Sequence, residues 1–417
     1  LLNTVEKIYL RTKKHPVVAE LPETLEIISF DVFYEEEAEF TMVYERIVAE
    51  ILRLSAEDEV VYAVPGHPMI AESTGPEINR QAKEMGIPVK VVDGLSFIEP
   101  IMGALGMDLF PQTTFMDALE LTSRYHPLFP VDKPALIPQV YSQEVAADLK
   151  LTLLAAYPDE HLVKLVHEAG TDREVVEEIP LYEIDRSEQT GLLTSLFLPP
   201  LDLTGSFEVF QEMIAHLRSP EGCPWDREQD HQTLRRNLLE ETYEAIDAID
   251  ADDPDLMREE LGDLLLQIVL HAQIGFEYGE FSMAEVIDGI YKKIYRRHPH
   301  VFGDANMDDA GTVIKKWEEL KSEERKANGE AEKGVLDGVS HAMPGLARAE
   351  LYTRRAARVG FDWPDINGVL DKLGEEIEEF RTAEGQEEKA DEIGDLFFAL
   401  VNLARWVGVD PEAALRS

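Results

Sequence analysis

Glu241 and Glu244, in "LLEETYEAID" (238–247), stand three residues apart, as do Glu260 and Asp263 in "EELGDLLLQIVLHAQ" (259–273). On helices, residues at that spacing share a face. The segment between them, "AIDADDPDLMR", carries Pro254 and several aspartates and suits a turn between two helices. Two antiparallel helices would then gather four carboxylates. Leu261, Leu264, Leu265, Leu266, Ile268, Val269 and Leu270 make the second helix apolar nearly all round, the pattern of a buried helix. Carboxylates withdrawn from water repel one another and are costly unless compensated. Divalent cations relieve both penalties, and an all-oxygen ligand set favours Mg²⁺ or Mn²⁺ over zinc. A lone E-x-x-E is ordinarily a solvated helix face.

This one is not alone. "DEIGDLFFALVNLAR" (391–405) repeats the second stretch, aligning Glu392 and Asp395 with Glu260 and Asp263. "LGEEIEEF" (373–380) repeats the first, aligning Glu376 and Glu379 with Glu241 and Glu244. Upstream, "GCPWD" (222–226) answers to "GFDW" (360–363). Three blocks in one order indicate a duplicated helical unit.

"YKKIYRRHPHVFGD" (291–304) supplies cations, with Lys293, Arg296 and Arg297 on one helical face. Beside a metal cluster such a face suits a polyphosphate. The alternative is a helix C-terminus carrying cations that complement its dipole. His298 and His300 either cap that helix or act in catalysis. Trp225 either stacks on a base or packs in the core, and Cys223 reads as a small packed residue.

The elements that must hold these residues follow from the whole chain. Its 417 residues exceed one typical core. The net charge of −44 argues against a nucleic-acid or anionic-membrane surface, each of which needs a cationic footprint. One cysteine excludes an intramolecular disulfide and a cysteine-based zinc site. No leader or membrane-spanning run is visible, so a cytoplasmic protein is expected. Residues 1–185 alternate strand and helix patterns: "KIYLRT" (7–12), "EVVYAVP" (59–65), "VKVVDG" (89–94) and "PALIPQV" (134–140) read as strands, "TMVYERIVAEILRLS" (41–55) as a helix. That alternation predicts an α/β domain with a largely parallel sheet. "SLFLPPLDLTG" (195–205) reads as a linker, and from Phe207 onward the chain reads as helical, divided by a polar break at "KANGEAEKG" (326–334).

Residues 207 to the end resemble the MazG nucleoside triphosphate pyrophosphohydrolases, through Glu240-Glu241-x-x-Glu244 with Glu260-x-x-Asp263 and the second set around Glu376 and Glu392. "CPWDREQ", "RRHPHVFGD", "WEELKSEER" and "VGFDWPD" extend the likeness. The resemblance implies an all-α helical bundle and Mg²⁺-dependent hydrolysis of a nucleoside triphosphate to monophosphate and diphosphate, with Mn²⁺ as an alternative ion. It also implies homodimers formed through the helices. It makes Glu241, Glu244, Glu260, Asp263, Glu376, Glu379, Glu392 and Asp395 metal ligands. Lys372 would be a nucleotide-contacting lysine, for which the first copy has Asn237. Glu240 is the candidate proton acceptor, and Lys293, Arg296, Arg297 and Trp225 the other substrate contacts. The second copy stops short of the family's next basic helix, so a protein that ends there is expected to have a crippled second site.

Residues 1 to about 185 resemble the tetrapyrrole (corrin/porphyrin) methylases through "YLRTKKHPVV", "VVYAVPGHPMIAEST" and "VVDGLSFIEP", and the fusion resembles YabN-like proteins. That likeness implies an S-adenosylmethionine cleft around Pro65, Gly66 and His67. Pro65-Gly66-His67-Pro68 stands where many relatives have Gly-Asp-Pro, and the sequence lacks the family's first Gly-rich loop, so methylation is not expected. The expected organisation is a methylase-like domain lacking its start over 1–190, a linker over 191–206, and MazG units over 207–330 and 331–417, the last lacking its end. The competing functions are a methyltransferase with a regulatory helical half and a non-catalytic nucleotide-sensing assembly.

Overall fold

A computed structural model describes residues 4–37, 39–203, 205–305, 309–327 and 334–416. Most of the break expected at 326–334 lies outside them. The chain packs as two compact units, up to His271 and from Ala272 onward, and each is described by itself.

In the first unit, β1 (Lys7–Leu10), β2 (Glu26–Ser29), α1 (Asp31–Glu36), α2 (Phe40–Ser55), β3 (Tyr62–Ala63), α3 (Thr74–Glu84) and α4 (Ile98–Leu105) come first. The strands form a parallel sheet of order β2-β1-β3. Val43, Ile47 and Ile51 of α2 recur every four residues and bury one face, in a cluster with Phe30. "VKVVDG" is not a strand. Its valines alternate as a strand's would, but no described residue pairs with it, and Val89, Val91 and Val92 are 37–51% exposed.

There follow β4 (Thr114–Phe115), α5 (Ala118–Thr122), β5 (Ala135–Ile137), α6 (Gln143–Leu153), β6 (Leu162–His167), β7 (Val175–Pro180) and β8 (Thr194–Leu198). Their sheet has the order β4-β5-β8-β6-β7. Only β4–β5 is parallel, so the expectation of a largely parallel sheet holds for the first sheet and not for the second. The linker expected at 191–206 is also corrected: its residues 194–198 are β8, a fully buried central strand. Leu196 and Leu198 lie in the main core with Leu149, Leu153 and Leu165.

Helices then take over: α7 (Phe207–Leu217), α8 (Pro224–Glu228), α9 (Arg235–Asp250) and α10 (Pro254–Tyr278). Ser206 caps α7, and Pro224 opens α8 at a position where its missing N–H is not needed. Gly222 is required between them, because a Cβ there would collide with the Leu217 and His216 carbonyl oxygens. Arg218, almost buried, donates to the carbonyls of Asp226 and Gln229 and clamps the "CPWDREQ" turn. Asp253 accepts from the N–H groups of Asp255 and Leu256 at 3.0 and 3.1 Å, starting α10. That helix is not wholly buried as its composition predicts. Leu261, Leu265 and Ile268 are 50%, 37% and 41% exposed.

The second unit opens with the last residues of α10, from Ala272, and has α11 (Met283–Arg297), α12 (Pro299–Phe302), α13 (Ala310–Ala327), α14 (Gly345–Arg358), α15 (Ile366–Thr382), α16 (Gln386–Trp406) and α17 (Pro411–Arg416). Ser282 and Glu285 form a reciprocal capping box at the start of α11, and Asp365 caps α15. Among the described residues no helix is long and apolar enough to cross a membrane.

Candidate active site

Glu241 on α9 and Glu260 and Asp263 on α10 offer oxygen atoms all within 4.8 Å of one another. The three side chains are half-buried. Burial, then the carboxylates of Asp263, Glu244 and Glu260, push Glu241 above its ordinary protonation range. Burial and Glu244, Asp263 and Glu259 do the same to Glu260. Glu244 thus adjoins the trio and hydrogen-bonds Glu241, although it is itself exposed. Glu240 is exposed and stands outside the cluster. Trp225 is 58% exposed, which rules out the core-packing alternative.

The duplicate gathers a related trio within the second unit, with Glu379, the counterpart of Glu244, in place of Asp395, the counterpart of Asp263. Glu376 and Glu379 of α15 and Glu392 of α16 bring oxygen atoms within 4.8 Å of one another. Glu376 is only 6% exposed. Burial first, then Glu379, Glu376, Asp395 and Asp391, raise the protonation range of Glu392. Its Oε2 is buried without a hydrogen-bond partner. Asp395 is exposed and stands outside the closest trio. Lys372 Nζ lies 2.9 Å from Oε1 of Glu376 and 2.9 Å from Oε1 of Glu375, and these bonds raise its own affinity for a proton.

Converging carboxylate oxygens, like-charge repulsion and an orphaned carboxylate oxygen all fit a hard divalent cation. Glu241, Glu260 and Asp263 would hold it in the first cluster, with Glu244 beside them. Glu376, Glu379 and Glu392 would hold it in the second, beside Asp395.

The basic face is built differently from the sequence expectation. Arg296 and Arg297 are not free cations: both donate to Glu324 of α13, at 2.8 and 2.6 Å. Arg297 is also stacked over Trp317, 4.8 Å from the ring centroid, and Lys321 lies 5.2 Å from the same ring. Trp317, Lys321 and Glu324 were not singled out by sequence reasoning, although all three lie in the quoted "WEELKSEER" block. Lys293 is exposed on α11. His298 takes the capping role, its Nδ1 lying 2.7 Å from the Ile294 carbonyl oxygen.

In the α/β part, Gly66 has φ +79°, a left-handed conformation that favours glycine. His67 Nδ1 accepts from Met69 N at 3.1 Å, and its Nε2 lies 3.5 Å from Asp93. An open depression of about 770 Å³ is lined by Ile70, Ser96, Glu99, Met102, Met107 and Asp108 among others, but not by Pro65, Gly66 or His67.

Comparison with known proteins agrees with this division of labour. Residues 229–302 match the MazG nucleotide pyrophosphohydrolase domain, and residues 1–185 match the tetrapyrrole (corrin/porphyrin) methylases. Residues 347–417, expected to be a second MazG unit, match the description phosphoribosyl-ATP pyrophosphohydrolase. Fold and site therefore define a hydrolase acting on phosphoric anhydrides, with pyrophosphohydrolase-type helical units behind a methylase-like α/β domain.

The chain is 40% identical over 429 residues to the uncharacterized protein YabN of Bacillus subtilis, covering 100% of this chain and 86% of that protein. It belongs to the YabN family. Over 210 residues it is 45% identical to the nucleoside triphosphate pyrophosphohydrolase/pyrophosphatase MazG of Thermotoga maritima, covering 50% of this chain and 80% of that protein. The nucleoside triphosphate pyrophosphohydrolase of Escherichia coli is 43% identical over 210 residues, 49% of this chain and 79% of its own length.

Proposed function

We propose that the chain hydrolyses nucleoside triphosphates to monophosphate and diphosphate with Mg²⁺, and that Mn²⁺ can replace it. The observation that carries this reading is the convergence of Glu241, Glu260 and Asp263 within 4.8 Å in a chain whose relatives include named nucleoside triphosphate pyrophosphohydrolases. Glu241, Glu244, Glu260 and Asp263 hold the ion in the first copy, and Glu376, Glu379, Glu392 and Asp395 in the second. The ion, when bound, neutralises phosphate charge and acidifies water. Glu240, the chain neighbour of Glu241, takes the proton from the attacking water. The new bond joins the water oxygen to the α-phosphorus. The bond from that phosphorus to the bridging oxygen breaks, and diphosphate leaves with its electron pair.

Lys293, Arg296 and Arg297 bind the phosphates, Arg296 and Arg297 exchanging Glu324 for phosphate oxygen. The exposed Trp225 ring stacks on the base, and Lys372 contacts nucleotide in the second copy. Two chains associate through helical faces left apolar and exposed, such as Val286, Ile287, Ile290 and Ile294 of α11. The net charge of −44 disfavours nucleic acid and anionic membranes as partners, and we place the protein in the cytoplasm.

Incubation with each of the eight common ribo- and deoxyribonucleoside triphosphates and Mg²⁺, with products separated by chromatography, tests the reading. Monophosphate and diphosphate should appear, and should be lost in Glu241→Gln/Glu244→Gln. Loss only in Glu376→Gln/Glu379→Gln would move the reaction to the second copy. Binding of nucleotide without turnover of any of the eight would overturn hydrolysis in favour of sensing.

A further inference from the structure

A lysine stands against the second carboxylate cluster. Lys372 stands four residues before Glu376 on α15 and bridges Oε1 of Glu376 and Oε1 of Glu375, both at 2.9 Å. Glu376 is the most buried of the candidate ligands, at 6% exposure, while the Lys372 side chain stays 37% exposed, so the pair is only partly screened by water. At the equivalent position on α9, four residues before Glu241, stands the neutral Asn237. A divalent ion entering the second cluster has to share Glu376 with an ammonium group that repels it. In the first cluster no side chain at that position competes.

We propose that Lys372 is a built-in counter-ion that makes the second cluster fill at a higher divalent-metal concentration than the first, so that the chain takes up metal in two steps. This rests on the reading of both clusters as metal sites. Lys372 acts here as a positioning residue on the ligand Glu376. Its consequence is a graded response: the first copy is loaded when metal is scarce, and the second joins only when metal is plentiful.

Titration of the full-length metal-free protein with Mn²⁺ alone, counting free Mn²⁺ by electron paramagnetic resonance, tests this without any turnover. Two classes of site are expected, a tight one removed by Glu241→Gln/Glu244→Gln and a weak one removed by Glu376→Gln/Glu379→Gln. Lys372→Met should tighten the weak class by about tenfold, within the ordinary range of coupling between interacting sites. Lys372→Arg, which keeps the charge, should leave it weak. Asn237→Lys should weaken the tight class in turn. A weak class unmoved by Lys372→Met would overturn the counter-ion while leaving the metal reading standing, as would a weak class belonging to the first copy. Absence of any Mn²⁺ binding by the wild-type chain would overturn both.

Discussion

At Glu241, burial and three neighbouring carboxylates all act against ionisation. The sign of the consequence is fixed. A carboxyl whose folded pKa is raised stabilises the fold while protonated, and that contribution fades as pH rises from the ordinary value of 4.5 through the raised one. At neutral pH the metal-free cluster is therefore a source of strain, and a bound cation removes it. Glu241→Gln should raise the unfolding temperature of the protein in chelator at pH 7 and abolish most of the rise that Mg²⁺ gives the wild type. A ligand present at a hundredfold excess over its dissociation constant adds roughly 2.7 kcal/mol, so the lost increment is measurable by calorimetry. A Gln variant that is less stable in chelator and still gains fully from Mg²⁺ would contradict the arrangement. The same logic does not reach Arg296 and Arg297, which are cations sharing the one carboxylate of Glu324.

Between elements, the segment before α9 is tied to α10 by His231 and His271, whose rings stack at 5.1 Å with Nδ1 atoms 2.8 Å apart. One nitrogen has to donate and the other accept, so a second proton on the pair breaks the bond. Burial, and then His231, hold the His271 pKa below its ordinary 6.5. A histidine kept neutral by the fold contributes stability fully above that value and loses it as pH falls through the lowered one. The unfolding temperature should drop more between about pH 7.5 and 5.5 in the wild type than in His271→Gln, by roughly 2 °C. Equal drops would mean that the pair contributes nothing to the joint.

The pairs Glu241/Glu244 and Glu260/Asp263 are legible because three-residue spacing on a helix is local. The partner of Arg297 is not, because Glu324 lies on another helix, 27 residues away. Strand 194–198 hides among prolines and leucines because pairing with β5 and β6, not local pattern, makes it a strand. Residues 89–94 show the reverse, a good strand pattern without a partner. Leu261, Leu265 and Ile268 look like core because composition records apolarity, while burial depends on which neighbour arrives.

Those exposed apolar faces set the question for the whole molecule. On α11, Val286, Ile287, Ile290 and Ile294 fall on one side of the helix and are 38–48% exposed. An apolar stripe of that kind is unfavourable in water and is the ordinary mark of an interface. Opposing its association is the net charge of −44, which makes two copies repel at long range. Dimerisation should therefore be driven by the apolar stripe, limited by charge, and strengthened by salt, which screens the repulsion while leaving buried contacts intact. Sedimentation equilibrium of the wild type should show a dimer that tightens as salt rises. Ile287→Asp/Ile294→Asp adds two charges to the stripe and should weaken association by on the order of a hundredfold, since each buried anchor is worth 1–2 kcal/mol. A wild type that stays monomeric at high salt, or a double variant that dimerises as well as the wild type, would remove α11 from the interface and leave its exposed isoleucines without a partner.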